Sequence, residues 1–385
     1  MRVLGILSGT SIDAIDMAVA DLTADEEALT MTLRWHGERP WDPELRQRIL
    51  GVIPPATSDA GMWARLDTEV GQEFGRAARW AIAQAGPVDL IASHGQTLYH
   101  WVSEGEVKGT LQVGNPAWIH AATGAPVISD FRSADVAAGG QGAPLASTLD
   151  LLWLGERPTA AVNLGGIANI TIAGSGEAVT GDTGPANCLI DAAARRFLGR
   201  ARDENGEVAR SGGIHAEALE VLLADPFYRR PMPKSTGTEY FHAEYVRERL
   251  GPLHLDGPDL FATLTELTAR TVAEGINAVP IERVVASGGG TRNPFLLRRL
   301  QAHLDAPLML TDELGLPADA KEAYLFALLG YLSASGQPGV VAGREGRTAT
   351  GARRASILGV RTPAATERPA ARTRRVRVQK ENAQW

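Results

Sequence analysis

Short apolar runs lead into glycine-rich polar turns near the start of the chain and again near its middle. Arg2–Leu7 is followed by such a turn and then by Ile15–Leu22, and Thr159–Leu164 is followed by a glycine pair and Asn169–Ala173. Apolar runs and partial alternation bounded by turn residues are typical of strands, so each stretch predicts a strand–loop–strand hairpin. Two copies of this plan predict two lobes of similar build.

Helical periodicity fills the chain between and after these hairpins. Residues 64–85 carry apolar side chains every three to four positions, which predicts an amphipathic helix. Further helices are expected from Asn115-Pro116 to Gly124, over Leu260–Val279, from Asn293-Pro294 onward, and over Ala318–Ser333. Further strands are expected at Val88–Ser93, ending at His94, and at Pro126–Ser129 and Arg283–Ser287. Alternating strands and helices predict an α/β fold with sheets covered by helices.

Length and charge limit the classes of protein to consider. A chain of 385 residues exceeds what one hydrophobic core usually supports, so two lobes are expected. The glycine-rich stretch Ala137–Pro144 is the natural crossing, which divides the chain into 1–136, 137–361 and a basic tail, 362–385. The net charge of −7 argues against nucleic acid as the main ligand. A disordered end is favoured for the tail over a basic nucleic-acid arm.

The sequence also predicts a cellular compartment. A single cysteine, Cys188, excludes an intramolecular disulfide and suits a reducing compartment. The first apolar run is too short for a signal peptide, and no stretch is long enough to span a bilayer. We therefore expect a cytoplasmic protein without a membrane partner.

Three glycine-rich loops carry the candidate chemistry: Gly9–Asp16, Asn163–Asn169 leading to Gly181–Pro185, and Ser287–Pro294. Glycine lacks a Cβ, so backbone N–H groups in such loops can approach an anion closely. Aspartates beside them can hold Mg²⁺ or accept a proton. Neither a P-loop nor a dinucleotide fingerprint is present. The set points to a nucleoside triphosphate held between two lobes.

The first loop is the candidate phosphate site. Its members are Gly9, Thr10, Ser11, Ile12, Asp13, Ala14, Ile15 and Asp16. Asp13 is expected to touch Mg²⁺ or a phosphate-bound water. The alternative is a turn in which serine and aspartate cap local backbone groups.

Asp182 is the candidate general base. It precedes Thr183-Gly184-Pro185, where proline fixes one φ and glycine frees another, so the carboxylate is expected on a stiff corner. An Asx-turn aspartate is the alternative reading. Cys188, shortly after it, is interpreted as buried packing and not as a nucleophile.

Other polar residues lie at predicted strand ends. His94 and His100 have the wrong spacing for two metal ligands on one helix face, so His94 is read either as a cleft residue or as an ordinary loop histidine. Asp130 and Arg132 follow a strand, where α/β folds place ligands. Arg132 could pair a substrate carboxylate bidentately or simply pair with Asp130. Lys321-Glu322 could face the cleft or solvent, and the sequence alone favours solvent.

These runs together resemble the anhydro-N-acetylmuramic acid kinase family, within the superfamily of sugar kinases, actin and the heat-shock 70 chaperones. The resemblance covers residues 3–360. The matching stretches are Leu7–Asp16, Ser93–Thr97, Gln112–Pro116, Asp130–Leu145, Asn163–Asn169, Asp182–Asn187, Ser287–Pro294 and Lys321–Leu328.

The resemblance implies a two-lobed, ribonuclease H-like fold with ATP and Mg²⁺ in the interlobe cleft. It implies a kinase that takes ATP, water and 1,6-anhydro-N-acetylmuramic acid to N-acetylmuramic acid 6-phosphate and ADP, in peptidoglycan recycling. By resemblance Asp182 is the base, and the first loop contacts phosphate, with Asp13 at Mg²⁺. The remaining ATP residues implied are Asn163, Gly165, Gly166, Asn169, Gly288, Gly289, Gly290 and Asn293. The sugar residues implied are Glu322, His94, Gln96, Asp130 and Arg132. The family also suggests a homodimer.

Two positions depart from the family pattern. Ala14 and Ala186 stand where the family usually has glycine. If either position needed a left-handed φ, alanine would cost about 1–2 kcal/mol. The alternatives are a kinase for another amino sugar or hexose and, from a different class, an ATP-driven chaperone or filament protein.

Overall fold

A computed structural model describes residues 1–9, 12–26, 28–53, 56–103, 106–155, 157–174, 178–238, 240–343 and 346–362 of the chain. Within these ranges the protein has two β-sheets covered by helices, which confirms the predicted α/β class. The first sheet contains β1 (Arg2–Ser8), β2 (Ala14–Ala24), β3 (Leu29–Pro40), β4 (Leu90–Ser103), β5 (Glu106–Val113), β6 (Val127–Ser129) and β12 (Val360–Thr362). The second contains β7 (Thr159–Leu164), β8 (Ile167–Ala173), β9 (Val179–Pro185), β10 (Arg283–Ser287) and β11 (Leu308–Leu310).

Several helices begin at an Asp or Asn side chain that caps them. Asp59 accepts a hydrogen bond from Met62 N at the start of the long helix, which therefore begins earlier than predicted. The helices are α1 (Pro43–Leu50), α2 (Ala60–Ala85), α3 (Pro116–Thr123), α4 (Ser133–Ala137), α5 (Ala146–Leu154), α6 (Asn187–Ala193), α7 (Glu207–Ser211), α8 (Ala216–Leu223), α9 (Ala243–Leu250), α10 (Gly257–Asn277), α11 (Pro294–His303) and α12 (Lys321–Ala334). A π-helical turn, Ala194–Leu198, extends α6, and shorter turns lie at Glu204–Gly206, Gly251–Leu253, Gly289–Arg292 and Thr311–Leu314.

Both sheets repeat one plan. In the first, β1 pairs antiparallel with β2 and β2 with β3, while β4 and then β6 continue in parallel from β1. In the second, β7 pairs antiparallel with β8 and β8 with β9, while β10 and then β11 continue in parallel from β7. The two predicted hairpins are confirmed, and each opens its own sheet.

The core of the first lobe lies on both faces of β1, because successive side chains of a strand point to opposite faces. Val3 and Leu7 pack in the cluster that includes α12, and Leu4 and Ile6 pack in the cluster that includes α2. A polar residue at the carboxyl end of β1 is therefore held between two buried layers. This end leads into the first glycine-rich loop.

Two sequence predictions about strands differ from the structure. The strand predicted to end at His94 continues to Ser103 and turns back as β5, and β3 was not predicted. The register of β1 against β4 shifts between Ile6 and Leu7, which pair with Ser93 and Gly95, so His94 is the extra residue of a β-bulge. A bulge re-aims a side chain without ending the strand. The sequence indicated that the regular strand is interrupted at His94, but it did not show that the strand continues after it.

The chain returns to the first lobe near its end. Helix α12 packs against β1, β2 and β4, and β12 pairs with β6. The predicted second lobe, 137–361, thus contributes its last helix and last strand to the first sheet. The reason is that α12 buries large apolar side chains, including Tyr324, Phe326 and Leu329, in the core cluster that it shares with the first sheet. The crossing near residue 137 remains our proposal, and of the predicted tail only Thr362 lies inside the described residues.

Candidate active site

The first glycine-rich loop joins β1 to β2. Gly9 accepts a hydrogen bond from Gln96 Nε2 at 3.3 Å, and Ile12 accepts one from Arg46 Nε at 2.5 Å. Ile12 is buried with φ of 52°, so the backbone makes a tight left-handed turn there. Asp13 is exposed at the loop, and its carboxylate accepts from Ala14 N at 3.2 Å. Thr10 and Ser11, predicted as phosphate contacts, lie outside the described residues.

Asp16 lies just after this loop, on β2. Burial raises the pKa of its carboxyl group to about 7, and the charges of Glu322 and Asp13 add to the shift. Asp16 therefore lies close enough to Glu322 and Asp13 for their charges to act on it. The structure brings these predicted ATP and sugar residues into one neighbourhood.

Arg132 and His94 form a partly buried contact close to Glu322. Arg132 Nε donates to His94 Nε2 at 2.8 Å, so Nε2 is the acceptor and the ring proton sits on Nδ1, which donates to Gly95 O at 3.1 Å. Burial, with the charge of Arg132, lowers the pKa of His94 well below its ordinary value, in agreement with a neutral ring. Arg132 also donates through Nη1 to Gly142 O at 2.6 Å. Arg132 pairs with these groups and not with Asp130, whose Oδ1 accepts from Ser133 N at 3.2 Å.

Glu322 is in the first turn of α12, on the first-lobe side of the site. Its side chain is accessible to solvent. The protein around the carboxyl raises its pKa by desolvation, against the opposing charges of Arg132 and Lys321. The neighbouring Lys321 was expected in solvent, and that prediction is wrong: it is 4% exposed and pairs with Asp150 at 2.6 Å. Helix α12 thus exposes the Glu322 side chain and buries that of the preceding Lys321.

The second glycine-rich loop joins β7 to β8 and is tied to the start of α6. Gly165 O accepts from Asn187 N at 3.0 Å and from Asn187 Nδ2 at 2.7 Å. Gly166 O accepts from Ala186 N at 2.9 Å and from Cys188 N at 3.0 Å. These hydrogen bonds fix the conformation of the turn between β7 and β8.

The third loop contacts the second. Gly288 has φ of 87°, and a Cβ there would lie 2.4 Å from Asn163 Oδ1, so only glycine fits against this asparagine. A Cβ on Gly290 would lie 2.6 Å from that of Leu164. Asn293, predicted as an ATP contact, uses its Oδ1 to cap α11 through Phe295 N and Leu296 N, both at 3.0 Å. The structure therefore gives the Asn293 carbonyl a capping role.

Lys321, which forms a buried ion pair with Asp150 on α5, also connects the third loop to α12. Lys321 Nζ, besides its pair with Asp150, donates to Ser287 Oγ at 3.3 Å. Gly288 N donates to Ala318 O at 3.3 Å. The loop predicted for adenosine and the helix that carries Glu322 are consequently one connected unit.

Asp182 lies inside β9, so the predicted stiff corner is wrong. Its backbone N donates to Lys234 O at 2.8 Å, and its Oδ2 accepts from Ser235 Oγ at 3.1 Å and from Thr236 N at 2.8 Å. The side chain is 8% exposed. Sequence reasoning missed Lys234, Ser235 and Thr236, although a polar Lys-Ser-Thr-Gly run after Pro233 was a visible signal.

Neither Ala14 nor Ala186, the two alanines expected at glycine positions of the family pattern, has a left-handed φ. Ala186 has φ of −108°, and Ala14 starts β2 without a positive φ. The cost that was conditional on a left-handed φ therefore does not apply.

The described part of the chain contains neither a cluster of metal-ligating side chains nor a membrane-spanning helix. Within those ranges no group of three or more His, Cys, Asp or Glu side chains is arranged as a metal cage. Among the described helices none is long and apolar enough to cross a bilayer.

Comparison with known proteins identifies relatives along nearly the whole chain. The family described as anhydro-N-acetylmuramic acid kinase matches residues 1–364. A protein of that description from Streptomyces coelicolor is 50% identical over 372 residues, covering 94% of each chain. One from Rhodococcus erythropolis is 48% identical over 379 residues, again covering 94% of each chain.

Solved structures show more distant likenesses. An activator of 2-hydroxyisocaproyl-CoA dehydratase from Clostridium difficile matches with 11% identity and a TM-score of 0.41, over 87% of this chain and 96% of that one. A ROK family glucokinase from Streptomyces griseus matches with 12% identity and a TM-score of 0.39, over 86% of this chain and 99% of that one. Similarities of this size carry no information on function.

Proposed function

The chain belongs to the anhydro-N-acetylmuramic acid kinase family, an ATP-dependent kinase family, and from this premise we propose how its residues perform the reaction. The proposed reaction opens the 1,6-anhydro ring of 1,6-anhydro-N-acetylmuramic acid with water and transfers the γ-phosphoryl group of ATP to O6. The observation that carries it is the carboxylate of Asp182, nearly buried and held by two donors on one oxygen. A general base needs such a fixed position.

In the proposed mechanism Asp182 takes a proton from water as the water oxygen attacks C1. The C1–O6 bond breaks, O6 attacks the γ-phosphorus, and ADP leaves. Positioning and charge neutralisation dominate such a transfer, so backbone N–H groups of the glycine loops suit the phosphates. Gly9, Asp13 and Asp16 would lie on the first-lobe side, with Gly165 and Gly166 on the other.

The sugar would contact the first-lobe group of Arg132, His94, Glu322, Gln96 and Asp130. A bidentate contact of a substrate carboxylate through Nε of Arg132 would require breaking the bond to His94. We therefore expect Arg132 to contact the substrate through a terminal nitrogen. His94 would also orient Arg132 through the hydrogen bond that it accepts from Nε.

The residues present also fit Mg²⁺. Asp13 is exposed at the first loop. Burial raises the pKa of Asp191, on α6, to about 6, and the charge of Asp13 adds to the shift, so the two carboxylates lie near each other. Mg²⁺ usually takes one or two carboxylates together with phosphates and water. We propose that Asp13 holds it, directly or through water; when bound, the ion neutralises phosphate charge.

The test is a coupled ADP-release assay with three substrates: 1,6-anhydro-N-acetylmuramic acid, N-acetylglucosamine and glucose. We expect turnover with the anhydro sugar, and in isotopically labelled water we expect the label on the C1 hydroxyl and none on the phosphate by phosphorus NMR. Turnover with glucose or N-acetylglucosamine alone would support a different sugar kinase. ATPase activity without any sugar would contradict a kinase.

We also propose a cytoplasmic location and a homodimer, with no nucleic-acid partner. The single cysteine and the net charge of −7 support the location and the absence of nucleic acid. Light scattering at several protein concentrations measures the subunit number, and a monomer at all of them would contradict the dimer.

A further inference from the structure

The segment 227–236, here called the clamp segment, lies directly against the strand that carries Asp182. A Cβ on Gly181 would lie 2.5 Å from Met232 Sδ and 3.0 Å from both N and O of Lys234. Any side chain at position 181 would push the clamp segment away from β9. Glycine here allows the close approach that lets Asp182 N donate to Lys234 O at 2.8 Å.

The clamp segment holds one oxygen of the Asp182 carboxylate from two directions. Ser235 Oγ lies 3.1 Å and Thr236 N lies 2.8 Å from Oδ2. Hydrogen bonds to an ionised acceptor are stronger than neutral ones. Two donors on one oxygen, together with the backbone bond to Lys234, fix how the carboxyl group is turned.

The clamp segment is itself anchored by Lys234. Its Nζ donates to Phe227 O and to Tyr228 O, both at 3.1 Å, and lies 4.5 Å from the centre of the Phe227 ring. Burial lowers the pKa of this ammonium group. The ammonium group of Lys234 is bonded to carbonyl groups at the start of its own segment. Lys234 therefore ties the two ends of the clamp segment together and is not directed at a phosphate.

The other end of the clamp segment supports the same strand. A Cβ on Gly184 would lie 2.7 Å from the ring of Tyr228, so this tyrosine packs directly against β9 two residues after Asp182. The segment therefore contacts β9 on both sides of the carboxylate.

We propose that Ser235 and the backbone N–H of Thr236 are positioning groups that aim Asp182 at the attacking water, with Lys234 as their anchor. The proposal rests on the proposed role of Asp182 as base. A carboxylate without these bonds would turn about its side-chain bonds, and a misplaced base transfers protons more slowly. The alternative is that Ser235 contacts a substrate directly.

The first experiment removes the hydroxyl. We expect Ser235→Ala to lower kcat about tenfold with KM for ATP and for the sugar unchanged, because the lost bond acts on a reacting group and not on binding. Ser235→Thr keeps a hydroxyl and should recover most of the activity. The matched control is Ser211→Ala, whose hydroxyl bonds to Val208 O at a helix end on the surface.

The second experiment repeats Ser235→Ala in an Asp182→Asn background. If Ser235 acts through Asp182, its removal there should change the residual turnover less than about twofold, because the effects of coupled residues do not add. An equal loss in both backgrounds would overturn the proposal and indicate a direct substrate contact. A normal Ser235→Ala enzyme would also overturn it.

The outcomes separate this inference from the proposed function. Wild-type protein that does not turn over the anhydro sugar contradicts the function. Full turnover by the Asp182→Asn variant contradicts the proposed role of Asp182 as general base. Only when both behave as expected does the Ser235 result bear on the clamp segment alone.

Discussion

The two sides of the proposed cleft hold their polar groups by different means. On the first-lobe side Arg132, His94, Glu322 and Asp16 act on one another through charged or ionisable side chains, and the pKa of each is shifted. On the second-lobe side Asp182 is held by a main-chain N–H and a hydroxyl, groups that do not titrate. The contacts on the first-lobe side therefore depend on the protonation of the groups that make them, whereas the two donors that hold the Asp182 carboxylate do not change with pH.

The difference has a physical origin in the elements used. The first-lobe residues come from a bulge in β4, the end of β6 and the first turn of α12, and the contact between Arg132 and His94 is made by their side chains. The second-lobe residues lie on β7, β8 and β9, where neighbouring backbones already exchange hydrogen bonds. The comparison predicts that substitutions on the second side affect chemistry and that those on the first affect sugar binding and pH response.

Replacing the base should have the largest effect. Asp182→Asn keeps the shape of the side chain but cannot take a proton, so kcat should fall about 10²–10⁴-fold while ATP still binds. Steady-state ADP release and nucleotide titration measure the two quantities. Unchanged turnover would remove Asp182 from the mechanism.

The buried ion pair between α5 and α12 should matter next, for stability. Asp150→Leu leaves the Lys321 ammonium buried without its carboxylate, so the free energy of unfolding should fall by about 3–5 kcal/mol. The matched variant, Asp150→Leu with Lys321→Met, removes both charges and should recover much of the loss. Denaturant unfolding compares the three proteins. A double variant as unstable as the single one would show that the ion pair is not the cause.

Arg132→Lys should lower the catalytic efficiency with the sugar by an intermediate amount. Lysine keeps the charge but cannot bond His94 Nε2 and Gly142 O with a planar fork, so kcat/KM for the sugar should fall about 10- to 100-fold with KM for ATP unchanged. Arg34→Lys, at an exposed pair with Asp21, is the matched control. An equal change in KM for ATP would contradict the assignment of Arg132 to the sugar.

The smallest effect concerns pH. Burial raises the pKa of Asp16 to about 7, so the folded protein holds a proton there that the unfolded chain has lost. The stability gained from that proton is present at low pH and is lost as the pH rises through about 7. Between about pH 6 and pH 8 the wild type should lose about 1 kcal/mol relative to Asp16→Asn.

Denaturant unfolding of both proteins at the two pH values measures this difference. Glu248→Gln, an exposed carboxyl on α9, serves as the control. A constant difference between wild type and Asp16→Asn would mean that Asp16 does not titrate in this range.

Much of the architecture was determined by the sequence. Local patterns are sufficient for the two hairpins, the caps of α3 and α11, and strand β10, because each depends on residues close in the chain. The family could also be predicted, since its motifs occur in order along the chain. These features are readable because the interactions behind them are local or are repeated as whole motifs.

Tertiary structure alone decided how the site residues are held. The bulge at His94, the burial of Lys321 against Asp150, and the return of α12 to the first sheet all join residues far apart in sequence. The same is true of Ser235 and Thr236, whose contact with Asp182 depends on a close approach of two segments. A sequence pattern reports the preference of a residue for water or for a backbone conformation. It does not report which distant group will satisfy a buried charge, because that is set only when the sheets and helices pack together.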